Sequence, residues 1–380
     1  MTLAGSRGPH DAEGAAGRRL HVMVVDDSAV AREVMSRVLG REFLVTTASD
    51  PLIAMDKIGH ARPDVILLDL EMPRMHGLTF LRVIREESAI PVVVCSSLAG
   101  RGTEMALRAL EQGAVDVVAK PLVGVRDFLL EAEILLCETV RGAAQARDRA
   151  PGATRTSTLP MFPAVPERRR TALSLPAAAP AARTTSEWLI ALGASTGGTE
   201  ALRAVLSRLP PDAPPVVVVQ HMPELFTAAF ARRLDECCQV SVREAAHGDD
   251  LVPGRVLVAP GNRHLVVRRR GRRTFVELSD GPLVSRHRPS VDVLFRSVAE
   301  AAGRFAVGAL LTGMGDDGAE GLLAMKRAGA RTIAQDEATS VVFGMPREAI
   351  ARNAADHVAP LGRIPYLLLA GASALPPLPA

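Results

Sequence analysis

The chain has 380 residues, 48% of them hydrophobic and 23% charged, with a net charge of +3. That length suits two domains better than one core, and so small an excess of base makes no case for nucleic acid as a partner. Its four cysteines (Cys95, Cys137, Cys237, Cys238) lack C-x-x-C spacing, which argues against a disulfide framework or zinc site, and no apolar run approaches ~18 residues, so a cytoplasmic protein without membrane insertion is expected.

From residue 20, short apolar runs alternate with amphipathic ones. Strands are predicted at residues 20–24, 43–47, 64–68, 90–94 and 116–118, and helices at 29–39, 51–60, 79–86 and 104–112. This alternation predicts an α/β fold, with a doubly wound five-stranded parallel sheet. Polar residues stand at the carboxyl ends of four of the strands: Asp26 and Asp27, Asp69, Ser96, and Lys120. Three carboxylates gathered in one crevice call for a hard divalent cation such as Mg²⁺. Lys120 can neutralise a transferred phosphoryl group, and the Ser96 hydroxyl can hydrogen-bond to it.

These residues, in this order, make residues 20–140 resemble a response-regulator receiver domain. The resemblance implies Asp69 as the phosphorylated residue and Asp26 and Asp27, with Asp69, as the Mg²⁺ site. Ser96 and Lys120 become the switch hydroxyl and the paired lysine. Glu71 stands where that family uses a backbone carbonyl, and Val117 where many receivers carry a switch aromatic. An aromatic-flip readout is therefore not expected.

Residues 141–186 hold eight arginines, two acids and six prolines, with no hydrophobic periodicity. They read as a flexible linker. A second α/β pattern fills the rest, with strands at 188–192, 216–219, 240–245, 255–259, 306–311 and 332–335. It also holds helices at 225–237, 291–302 and 347–352, and a hairpin from His264 around Arg270-Gly-Arg-Arg273.

The stretch Gly193-Ala-Ser195-Thr-Gly-Gly198 joins the first of these strands to a helix. A serine at such a turn is lifted clear of the sheet, and Gly193-x-Ser195-x-Gly197 fits the nucleophile-elbow pattern. Helix-opening N–H groups near Thr196 can face an oxyanion. A dinucleotide site would require different glycine spacing and an acid after the second strand, where this chain has Gln220-His221. A plain strand–helix turn with a capping serine is the other reading.

His221 follows the four-valine strand, and Asp317 follows the strand ending at Leu311. Serine, histidine and aspartate at three strand ends form a candidate triad. His247, His264, His287 and His357 lie in or beside turns, and Asp316 is the rival acid beside Asp317.

The stretches Gly193–Thr199, Gln220-His-Met222, Ala259-Pro-Gly261, His287–Asp292, Thr312–Gly318 and Val341–Pro346 together make residues 187–380 resemble the CheB family of chemotaxis methylesterases. The resemblance implies an α/β catalytic domain with a mostly parallel sheet and a β-hairpin. It implies hydrolysis of γ-glutamyl methyl esters on methyl-accepting chemoreceptors, and deamidation of receptor glutamines, with no cofactor for the hydrolysis. Ser195 is then the nucleophile, His221 the base, Asp317 its partner, and the N–H of Met314 an oxyanion donor. A chemotaxis-type histidine kinase is implied as phosphodonor, with the unphosphorylated receiver packed over the crevice. A signalling adaptor that binds a partner without hydrolysis is the alternative.

Overall fold

The computed structural model describes residues 18–96, 101–120, 126–148 and 188–372. The first half runs β1 (His21–Val25), α1 (Ala29–Leu39), β2 (Leu44–Ala48), α2 (Pro51–His60) and β3 (Val65–Leu68). It continues through α3 (Gly77–Glu87), β4 (Val92–Ser96), α4 (Arg101–Glu111), β5 (Asp116–Ala119) and α5 (Arg126–Asp148). Local chemistry sets the helix starts: the Ser28 hydroxyl accepts from the Ala31 N–H, and the Asp50 carboxylate accepts from Leu52 and Ile53 with Pro51 pre-set in the first turn. All strand pairs are parallel, in the order β2-β1-β3-β4-β5. The order reverses between β1 and β3, so the crevice opens where Asp26 and Asp69 emerge.

The second half runs β6 (Leu189–Ala194), α6 (Gly198–Leu206), β7 (Val216–Gln220), α7 (Glu224–Cys237), β8 (Ser241–Glu244) and β9 (Arg255–Val258). The hairpin β10 (His264–Arg270) and β11 (Arg273–Ser279) follows, then α8 (Val291–Ala302), β12 (Ala306–Leu310) and α9 (Ala319–Arg327). Last come β13 (Arg331–Gln335), α10 (Met345–Ala351), β14 (His357–Ala359) and α11 (Ile364–Ala372). Seven strands pair in parallel in the order β14-β13-β12-β6-β7-β9-β8, and the hairpin forms its own two-stranded sheet. The switch point falls between β12 and β6, with β7 next to β6. Residues just past these three strands share one edge of the sheet.

Both faces of this sheet are covered, which is why β7 reads Val-Val-Val-Val with no polar alternation. Val217, Val219 and Leu257 pack under α8 and the hairpin on one face. Ile190, Leu192 and Val218 pack under α6, α7 and α11 on the other. The second cluster runs on without a break into Leu107 and Leu110 of α4, so the two halves share apolar contact.

Two stretches differ from the sequence reading. Helix α5 continues to Asp148, eight residues into the stretch assigned to the linker from residue 141. Val140, Ala143 and Ala144 are buried there, so an alanine-rich run with good helix propensity is held by packing. The remainder of that stretch, 149–186, lies outside the described residues. Strand β14 and helix α11 carried no expectation: β14 has only three residues, two of them exposed, and its hydrophobic pattern is too short to register.

Phe295 is fully buried between α8 and α9, and a Cβ on Gly321 of α9 would stand 2.7 Å from its Cβ. Phe295→Ala is expected to cost about 3–5 kcal/mol, read as a lower denaturation midpoint for the half containing α8. A loss under about 1 kcal/mol would show that α8 is not anchored by this packing.

Candidate active site

Ser195 leaves β6 into a turn that only small residues can make. Gly197 has φ of 76°, in the left-handed region. A Cβ on Gly198 would lie 2.1 Å from Gln220 Oε1 and 2.7 Å from Ala194 Cβ. Behind the turn, the Ser195 N–H donates to the Thr312 carbonyl at 3.0 Å. Gln220 Nε2 donates to the Ser195 carbonyl at 2.9 Å and the His221 carbonyl at 3.0 Å. The strand ends of β6, β7 and β12 are thereby tied to one another beside the serine.

The loop after β12 presses on the serine. A Cβ at Gly313 would lie 2.7 Å from Ser195 Cβ and 2.3 Å from Met345 Sδ, so this position must stay bare. The Thr312 hydroxyl lies 3.0 Å from the Thr196 carbonyl and accepts from the Val342 N–H at 2.9 Å. Met314, half-buried, follows at the crevice wall.

His221 and Asp317 are both buried, and His221 Nε2 stands 2.8 Å from Asp317 Oδ2. Three further donors hold the carboxylate: the Ser290 hydroxyl at 2.7 Å, the Val291 N–H at 2.7 Å and the Asp292 N–H at 3.1 Å. These are the cap and first turn of α8, so the helix dipole also favours the anion. Burial would raise the Asp317 carboxyl, but the His221 hydrogen bond and charge, with Ser290, hold it below the usual range. Asp316, by contrast, is exposed and faces Arg352 at 3.5 Å.

With Nε2 committed to Asp317, His221 has Nδ1 left, and that buried atom has no hydrogen-bond partner among the described residues. A buried ring nitrogen left without a partner is costly. His287 stacks on the same ring, with centroids 3.7 Å apart and planes 14° from parallel. Burial and the neighbouring His221 push His287 down to about 3, so its ring stays neutral near neutrality.

Reading strand ends gives Ser290 and His287 no role, although both stand in the His287–Asp292 stretch that carries the resemblance, and Gln220 registers only as the residue before His221. Ser290 had one available signal, a serine immediately before the 291–302 helical pattern. His287 opens the same stretch, but its stacking on His221 follows from the local Val284–His287 turn, which has no hydrophobic pattern to read.

The first half approaches the same crevice. The Thr196 hydroxyl hydrogen-bonds Asp116; burial pushes the Asp116 carboxyl up to about 6, against that bond, the Val117 N–H and the charge of His221. Glu138 of α5 lies 2.7 Å from Arg286 and 3.8 Å from His287. Glu111 of α4 lies 3.1 Å from Arg233 of α7.

Within the first half, Asp26, Asp27 and Asp69 each bring an oxygen within 4.8 Å of the others. Three hard anionic ligands at that spacing fit a divalent cation such as Mg²⁺. Lys120 Nζ is 2.8 Å from both Asp26 Oδ2 and Asp69 Oδ2. Burial raises the Asp69 carboxyl more than the Lys120 hydrogen bond and charge lower it. The Ser96 hydroxyl donates to the Gly102 carbonyl at 3.1 Å, so here it is turned toward α4. Val117 is buried in the sheet.

Comparison with known proteins gives two family matches: the response regulator receiver domain over residues 22–130 and the CheB methylesterase over residues 190–368. A protein-glutamate methylesterase/protein-glutamine glutaminase of Anaeromyxobacter dehalogenans is 57% identical over 364 residues, 95% of this chain and 99% of that one. A protein of the same name from Rhodospirillum rubrum is 55% identical over 352 residues, 90% of this chain and 96% of its own. The crystal structure of the Thermotoga maritima CheB methylesterase catalytic domain aligns at 39% identity and TM-score 0.47, covering 48% of this chain and 97% of that one.

A carboxyl whose folded-state pKa is depressed stabilises the fold fully above its unfolded value, about 3.9, and loses that as pH falls through the folded value. Asp317 is such a group. The denaturation midpoints of the natural chain and Asp317→Asn should therefore lie farthest apart near neutrality and converge below pH ~4. A gap that widens with acid would mean that Asp317 is not held as the anion.

Proposed function

The chain belongs to the CheB family of protein-glutamate methylesterases/protein-glutamine glutaminases, and from that membership we propose that Ser195, His221 and Asp317 carry out the hydrolysis. The substrate is a γ-glutamyl methyl ester, or a glutamine, on a chemoreceptor. The observation that supports this most directly is the 2.8 Å His221–Asp317 contact beside a serine on a constrained turn.

In this reading Ser195 Oγ attacks the side-chain carbonyl while its proton passes to His221 Nδ1, the ring nitrogen that Asp317 leaves available. Asp317 holds the other nitrogen and stabilises the imidazolium, as the third member of such triads does. The oxyanion meets the N–H of Met314 and the helix start near Thr196. His221 returns the proton to the leaving group, expelling methanol from the ester or ammonia from glutamine. Water, deprotonated by the same nitrogen, then frees glutamate and Ser195. His287, stacked and neutral, limits rotation of the working ring.

The same reading makes residues 20–140 the regulatory receiver, 187–380 the catalytic unit and the intervening stretch the connection. Asp69 takes a phosphoryl group from a chemotaxis-type histidine kinase. Asp26, Asp27 and Asp69 would hold Mg²⁺, which when bound offsets the charge of carboxylates and phosphoryl group. Lys120, already 2.8 Å from Asp69, offers the second positive charge, and Ser96 can turn from Gly102 toward the phosphoryl oxygens. Contacts of Asp116, Glu138 and Gly142 at the crevice support a receiver that covers it before phosphorylation. No described helix is long and apolar enough to cross a membrane, and action on chemoreceptors supports a cytoplasmic location.

Ser195→Ala and His221→Ala should each cut methanol release from methylated receptor membranes by roughly three orders of magnitude or more, and the double variant should be no worse than either. Asp317→Asn should be milder. Near-normal release from Ser195→Ala would remove the serine from the mechanism.

Chelating divalent cations should abolish labelling of Asp69 by a small acyl phosphate and leave basal ester hydrolysis of the full chain unchanged. Loss of hydrolysis on chelation would require a metal at the ester site.

A further inference from the structure

Val284 and His287 pair as an isolated antiparallel bridge closing a two-residue turn at Ser285 and Arg286. Both turn residues have positive φ, 50° and 66°, the geometry of a turn that ordinarily takes Asn and Gly. Side chains held in that region mark a conformation imposed by its surroundings and often tied to function. Here the turn sends His287 inward onto His221 and leaves Arg286 at the mouth of the crevice, its side chain 58% exposed.

Across from it lies α5. Glu138 reaches Arg286 at 2.7 Å, and its carboxyl is pushed up by burial against the pull of Arg286, Arg141 and His221. Gly142, one helical turn later on the same face, faces the reacting centre: a Cβ there would stand 3.4 Å from Thr196 Oγ1 and 3.6 Å from Met314 Sδ. Those are ordinary contacts, so an alanine would fit. A glycine inside a helix is unfavourable, yet at this spot it presents no side chain to Ser195.

We propose that Arg286 docks an acidic side chain four residues before the reacting glutamyl on the substrate helix, and that α5 imitates that helix with Glu138 and an unreactive Gly142. This rests on the Ser195 reading above. The chemistry is symmetrical: a receptor helix carrying carboxylates one turn from a methyl ester offers Arg286 the same partner at the same spacing. Release of the receiver then frees one cation that had served the inhibited state and now selects substrate. An ion pair that is made with either helix keeps the crevice from favouring uncharged surfaces in both states.

The test uses the full chain in an unlatched background, Glu138→Ala, and two helical peptides. Each peptide carries one glutamyl γ-methyl ester, with Glu or with Ala four residues before it. The kcat/KM ratio, Glu peptide over Ala peptide, should be about ten in Glu138→Ala and fall to about one in Glu138→Ala/Arg286→Ala, through KM rather than kcat. Glu138→Ala/Arg286→Lys should keep part of the preference. The ratio is insensitive to the fraction of folded enzyme, so a poorly folding variant still reports. Equal ratios in the Glu138→Ala and Glu138→Ala/Arg286→Ala proteins would overturn the proposal, leaving Arg286 as a latch alone. Absence of methanol from both peptides and from the γ-methyl ester of N-acetylglutamate in Glu138→Ala would instead overturn the serine-hydrolase reading.

Discussion

A buried carboxylate is expensive unless every lone pair is met, and Asp317 meets that requirement with four donors. Three of them, the Ser290 hydroxyl and the Val291 and Asp292 N–H groups, are the start of α8. The fourth is His221 Nε2. One charge thus ties the end of β12 to the start of α8 and to the end of β7. The tie propagates further, since the Ser290 N–H donates to His264 Nδ1 at the base of the hairpin, and His264 Nε2 meets the Pro282 carbonyl. Remove the charge and α8, the hairpin base and the imidazole all lose a common anchor.

The two halves solve the same topological problem with different electrostatics. Each is a parallel sheet with polar side chains at its switch point. In the catalytic half, backbone and hydroxyl donors neutralise the carboxylate, which leaves it free to polarise a histidine. In the receiver half, carboxylates face one another and Lys120, and Asp69 is pushed up by burial. That arrangement gains from a cation, and under the proposed phosphorylation Asp69 would become an acyl phosphate, a mixed anhydride with more acceptor oxygens. The first site is built to stay in one state, the second to change.

Much of this was legible in the residues because parallel sheets place function at predictable points. The four-valine strand ending in Gln220-His221, the glycines around Ser195 and the acids after strands one and three needed only hydrophobic periodicity to be found. What stayed hidden was set in part by distance in the chain. Ser290 lies 27 residues from Asp317, and nothing local links them. His287 stood in a turn like three other histidines, and the bridge from Val284 to His287 that sets it on His221 is local but without a hydrophobic pattern to read. The extension of α5 was masked by composition: the alanines of 143–146 look like linker, but two of them are buried by the neighbouring core.

The contact between the halves is shaped to be broken. It combines Leu107 and Leu110 of α4 against Phe230 and Leu234 of α7, beside an open pocket of about 430 Å³ between α4, α6 and α7 that Glu111, Arg203 and Arg233 also line. The ion pairs around it, Glu111 with Arg233 and Glu138 with Arg286, have partly exposed partners, and such pairs contribute about 0–1 kcal/mol each. Interdomain contacts of this kind are modest, and a bias of a few kcal/mol is enough to invert a two-state population. Lys120, paired with Asp69, follows β5, and the Ser96 hydroxyl at the end of β4 donates to the Gly102 carbonyl in the first turn of α4. Under the proposed regulation, a shift of α4 would loosen the Leu107–Leu110 seam, and a shift of α5 would withdraw Glu138 from Arg286.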